Sequence, residues 1–253
     1  MSGAIGGRHL AAVTLIAISV TACDSGHDAG TPTAKAKASP ATEHEARVLS
    51  QQQLEDAVVD AHDLPGVRVE EIGMGTEGVG NGVIHAARRT NTSPSLCAPV
   101  SAAVDGASGY TPAASVQRTV DSEGRGAILT LVSYHPADTA RVLSELRTAL
   151  KSCKQYTAGP MRATYEDIEA TNAPSQGDDG IAFRLKLILT PDDDALPDEE
   201  VLKTPVSVTA IRHGSTLAIY KTTSDSIGKP ASIPSDLVNA QSKLLDAAAH
   251  TTE

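Results

Sequence analysis

The sequence predicts an α+β fold: an antiparallel β-sheet flanked by helices, in a single domain that follows a signal peptide and a flexible linker. Three observations predict it. Ile181 to Leu189 places Ile181, Phe183, Leu185, Leu187 and Leu189 at every second position, the period of a strand. Ala137 to Cys153 repeats its leucines at helical spacing instead. The strand-like runs also come in consecutive groups separated by turn residues, whereas a parallel sheet needs a helix between successive strands.

The chain begins with Arg8 and an apolar run, Leu10 to Val20. A run of about 11 residues is too short to cross a hydrocarbon core, which takes about 20 in a helix. It has the form of a removable signal segment. No Arg-Arg pair precedes it, which favours general secretion over the twin-arginine route. The run leads through Val20-Thr21-Ala22 into Cys23. This resembles the lipobox of bacterial lipoprotein precursors. The resemblance implies a signal peptide over residues 1–22, and a diacylglycerol thioether on Cys23 as the first mature residue. The competing reading is an ordinary secretory signal cut near Ala22, with Cys23 a spare thiol. Two acyl chains suffice for stable anchoring, at about 0.8 kcal/mol per buried methylene.

Residues 23–46 form the lipidated cysteine and its linker. No aliphatic side chain larger than alanine occurs between Cys23 and Val48. Such a segment buries too little apolar surface to offset ordering costs of roughly 1–2 kcal/mol per residue. As a flexible tether it separates domain and membrane by about 25 Å on average. Lys35 and Lys37 are too few for more than a weak attraction to anionic headgroups.

The domain spans 47–250, enough chain for one substantial core. Its first helix is expected over Gln51 to His62, where Ser50 and Gln53 form a capping box. Leu64-Pro65-Gly66 ends it and a strand follows, Val67 to Ile72. Gly73 to Gly82 is glycine-rich, and Asn81-Gly82 suits a hairpin turn. Leu96 to Val104 predicts a short helix carrying Cys97. Ser115–Val120 and Ala127–Tyr134 are paired strands, the second apolar on both faces and so central. In the long helix Pro136 suits the first position, with Asp138 and Lys151 matching the helix dipole. Thr164 to Ala170 is an acidic strand, suited to an edge. Val206–Ile211 and Thr216–Thr222 form a hairpin around His213-Gly214, and Ser235 caps a last helix, Asp236 to Ala249.

Cys97 and Cys153 remain after Cys23. Outside the cytosol, such a pair is most simply a disulfide; two buried free thiols are the alternative. Leu143, Leu146, Leu150 and Cys153 share one helical arc, so Cys153 turns toward the core. The bridge would contribute up to roughly 4 kcal/mol by chain entropy.

The formal net charge is −10, which disfavours nucleic acid as a partner because phosphates need Lys and Arg. One Phe, five Tyr and no Trp leave few platforms for stacking sugars or bases. Eight histidines include no His-x-x-x-His pair or Cys–His cluster, so no metal site and no cofactor is expected. His213, in its turn, is expected to be solvated. Asp192-Asp193-Asp194 and Asp198-Glu199-Glu200 lack calcium-loop spacing and read as a solvated acidic loop. No Gly-x-Ser-x-Gly occurs, and no three residues are singled out as catalytic. Arg118, Arg184 and Lys186 lie on strands, where they either face solvent or line a cleft for an anion.

Leu64-Pro65-Gly66, Cys97, the helix ending at Leu146 to Cys153, the Val208–Ile219 hairpin and the helix after Pro234 together resemble a known group. It comprises the extracellular sensor domains of actinobacterial serine/threonine kinases and the small lipoproteins with a PsbP-like fold. The resemblance covers about 60–250. It implies an antiparallel sheet with a cleft and a role in sensing or binding, and no binding residue carries over. The kinase domains typically hold two disulfides, whereas this chain can make one. The expected protein is therefore a non-enzymatic lipoprotein on the extracytoplasmic face of the cell membrane. It is held there through its diacylglyceryl anchor and binds a small molecule or an envelope protein. An envelope scaffold acting through protein contacts is the alternative, and a hydrolase the more distant one.

Overall fold

In chain order, a computed structural model gives α1 (Gln51–Ala57), β1 (Arg68–Glu71), a 3-10 turn (Ser95–Cys97) and α2 (Ala98–Val104). Next come β2 (Ala114–Ser122), β3 (Arg125–Ser133), α3 (Pro136–Ser152), β4 (Tyr156–Ala158) and β5 (Ala163–Thr171). The chain finishes with β6 (Asp179–Leu189), β7 (Leu202–His213), β8 (Thr216–Thr223) and α4 (Ser235–His250). The described residues are 47–72, 91–122, 125–158, 163–189, 201–224 and 229–250. The signal segment, Cys23, the linker, the Asn81-Gly82 turn and the acidic loop at Asp192 to Glu200 lie outside them.

The strands form one sheet in the order β1-β2-β3-β8-β7-β6-β5-β4, and every neighbouring pair is antiparallel. The fold is thus α+β, with an antiparallel sheet between helices. Its last hairpin lies in the middle: β8 pairs with β3 and β7 with β6. Each face carries its own core. On one, Val132, Phe183, Leu185, Val208 and Ile219 pack under α2 and α3 through Val100, Val142, Leu143, Leu146 and Leu150. On the other, Leu129, Leu131, Ile211, Ala218 and Tyr220 pack under α1 and α4 through Leu54, Leu237 and Leu245. Alternation along each strand assigns its side chains to the two cores in turn.

Ser50 caps α1 as expected, with a capping box completed by Gln53. The helix ends five residues sooner than its pattern suggests, and the reason is tertiary. Buried Gln241 on α4 accepts from the Val59 N–H at 3.0 Å and donates to the Ala57 carbonyl at 2.7 Å. One side chain thereby satisfies groups that another helical turn would have used. The Asp60 carboxylate then accepts from the N–H groups of His62 and Asp63, which fixes a turn.

β5 is an inner strand rather than an edge, because the three-residue β4 pairs with its outer side. It also breaks register between Glu166 and Glu169, where Asp167 takes φ 54°. His213 departs from its expectation too. Its side chain is 2 % exposed, with Nδ1 2.9 Å from Asp246 Oδ1 on α4.

Candidate functional site

Cys97 and Cys153 are joined by a disulfide that ties the start of α2 to the residue following α3. Both cysteines are buried, at the covered end of the first core. The bridge holds two helices whose facing surfaces differ in size. α2 presents Ala98, Ala102 and Ala103; α3 presents Val142 and Leu146. Alanines opposite a valine and a leucine leave space between the helices. The result is a cavity of about 600 Å³.

Ala210 on β7 and Leu217 and Ile219 on β8 form its floor. Ala210 and Ile219 are register partners, so a short side chain lies beside a long one on that floor. Polar groups gather elsewhere on the lining: Asn91, Thr92, Ser95, Ser108 and Glu145. Tyr110 donates its hydroxyl proton to Glu145 Oε1 at 2.5 Å. That hydrogen bond holds the Tyr110 pKa above its ordinary 10.0. The Ser108 hydroxyl accepts from the Tyr110 N–H at 3.1 Å, which fixes the loop after α2. Burial pushes the pKa of nearby Tyr134 up to about 12. Ser108 lies close enough to oppose that shift, yet the Tyr134 hydroxyl is buried without a partner in bonding geometry. An apolar chamber with a few fixed polar groups is what small-molecule sites generally look like, at volumes of about 300–1,000 Å³. The arrangement suits binding a molecule with an apolar body and one polar end.

The sequence assigned none of these lining residues to binding, although Leu146 stood out in the α3 arc. Their one signal was the alanine content of 98–103, which is indistinguishable from ordinary helix composition. The strand cations are dispersed. Arg118 is 14 % exposed and bonded to Glu55 at 2.7 Å, so it serves the contact between α1 and β2. Arg184 and Lys186 line a separate open groove. No group of three or more His, Cys, Asp or Glu suited to a metal ion occurs among the described residues. No described helix is long and apolar enough to cross a membrane.

No protein-family model matches the chain, and no curated protein is similar to it. Among solved structures it is similar to the extracellular domain of PknH from Mycobacterium tuberculosis. That likeness has 8 % identity and a TM-score of 0.48, over 80 % of this chain and 98 % of that one. A putative uncharacterized protein from Mycobacterium smegmatis is similar at 14 % identity and a TM-score of 0.31, over 81 % of this chain and 96 % of that one.

Proposed function

We propose that the chain is a non-catalytic binding lipoprotein of the extracytoplasmic membrane face, anchored through Cys23, whose domain takes a small amphipathic molecule between α2 and α3. The observation that carries the binding role is the cavity itself: about 600 Å³, floored by Ala210, Leu217 and Ile219, with its polar groups confined to a few positions. The lipobox-like Val20-Thr21-Ala22-Cys23 supports the anchor. An apolar ligand gains roughly 25 cal/mol for each Å² it removes from water, so the floor supplies affinity and Glu145 or Ser108 supplies orientation.

The test titrates the full-length protein in detergent-free nanodiscs with a soluble environment-sensitive naphthalene dye. Saturable binding is expected, weakened about tenfold or more by Ala102→Phe, which fills the chamber. Metabolic labelling with palmitate in a bacterial host should mark the native chain and not Cys23→Ser. Dye binding indifferent to Ala102→Phe would remove the pocket from the proposal, and a Cys23→Ser chain that still labels would remove the anchor.

A further inference from the structure

A second concave surface lies away from the α2–α3 chamber, and its chemistry is opposite. It is an open groove of about 720 Å³ bordered by β5, β6, β7 and the segment entering α4. Four cations from three separate stretches of chain meet there: Lys154 after α3, Arg184 and Lys186 on β6, and Lys229 before α4. The protein as a whole carries a net charge of −10, so this convergence runs against the composition.

The cations differ in how they are satisfied. The β5 bulge turns Asp167 to Lys186, and the two pair at 2.7 Å. Arg184 has no ion-pair or hydrogen-bond partner among the described residues, although Glu169 is its register partner on β5. The side chains of Lys154 and Lys229 have none either. Glu169 is the other acid on the lining. With Lys186 and Asp167 cancelling, three free cations face one free carboxylate among the described residues, a surplus of two positive charges. The segment bearing Lys229 is fixed, because Ser207 Oγ donates to the Ala231 carbonyl at 2.8 Å. Arg184 also lines an adjoining recess of about 270 Å³, together with Asn172, Gln176 and Ser235. The groove and this recess therefore share Arg184, and the recess adds polar side chains to its surroundings.

We infer that this groove binds a phosphate-bearing ligand, with Arg184 as its central contact. A monocarboxylate would leave the surplus half compensated, whereas a doubly charged phosphate matches it. The planar guanidinium meets two phosphate oxygens at once, and the lysines supply point charges around it. Clefts lined by one sign of charge also focus the field and draw in counter-ions.

Isothermal titration of the full-length protein tests this with two probes. Inorganic phosphate at pH 8, where it is the dianion, represents a free phosphate source, and glycerol 3-phosphate, a phosphomonoester, represents an anionic lipid headgroup. Saturable binding of either supports the site, and which one binds tells the sources apart. Arg184→Glu and, separately, Lys229→Glu should each weaken it about tenfold or more, as loss of a charge-assisted contact does. Lys243→Glu, at an exposed position of α4, makes the same change in net charge and should leave affinity within about twofold. Ala102→Phe should have no effect, so failure of the apolar pocket leaves this result standing. Neither probe binding, or Lys243→Glu weakening binding as much as Arg184→Glu, would overturn the inference.

Discussion

Gly177 and Gly66 both have positive φ, +72° and +80°, yet they tolerate a methyl group very differently. A Cβ on Gly66 meets nothing within 4 Å. A Cβ on Gly177 would stand 2.4 Å from the Arg212 carbonyl oxygen and 2.6 Å from Ile211 Cγ2. A backbone carbonyl in a ladder cannot swing away, so the clash adds to the left-handed penalty. Gly66→Ala should cost about 1 kcal/mol and Gly177→Ala about 3 kcal/mol or more, read from urea unfolding. Equal losses at the two positions would contradict this packing. The buried tyrosines make a second residue-scale case. Burial raises the pKa values of Tyr134, Tyr156 and Tyr220 above 10.0. A raised folded-state value means the native protein holds protons that the unfolded chain releases. That contribution is whole below pH 10 and falls away above it, by at most about 4 kcal/mol per pH unit for three such groups. Lys221 pulls the other way: burial holds its pKa below 10.5, so its penalty fades as pH climbs. The tyrosines outnumber it, so stability should drop above pH 10. Phenolate absorbance should appear together with loss of far-ultraviolet dichroism. Full tyrosine ionisation in a still-folded protein would refute the burial argument.

Among the elements, α2 and α3 depend on each other through Cys97–Cys153, which closes a sequence separation of 56. Replacing both cysteines with serine should cost up to roughly 4 kcal/mol in the chain-entropy account. It should also let α2, only seven residues long, shift against α3 and weaken dye binding in the chamber. A double variant with unchanged melting temperature and unchanged dye affinity would remove the bridge from both roles. The long elements were legible in the sequence because their patterns are local. α3 shows its leucine arc and its Pro136 start, β6 its strict alternation, and β3 its two apolar faces. The misread ends have partners far along the chain. α1 stops where Gln241 reaches it from 182 residues away, and buried His213 meets Asp246 from 33 away. β4 is too short to show a period, and its place outside β5 comes only from pairing. The chamber was illegible for the same reason. Ala98 and Ala102 become a wall only when Val142, Leu146 and Ala210 face them.

At the scale of the whole molecule, the sheet is assembled out of sequence order. β1 to β3 make one flank, β4 to β6 the other, and the β7–β8 hairpin closes the space between them. Leu129, Leu131, Val208, Ile211, Ala218 and Tyr220 on β3, β7 and β8 are all 0 % exposed. Helices cover both faces there, through Leu146 on one side and Leu237 on the other. A local opening therefore cannot free these amides without breaking both cores. The flanks end differently: β1 is four mostly exposed residues and β4 is three. Amides that open only on global unfolding exchange slowest, and those freed by fraying exchange fast. Hydrogen exchange should thus show β3, β7 and β8 protected by about a hundredfold or more over β1 and β4. The last hairpin in the sequence would then be the most stable part of the sheet. Exchange in β8 as fast as in β1 would mean that the hairpin does not bridge the two flanks, and the floor of the chamber, built on Leu217 and Ile219, would go with it.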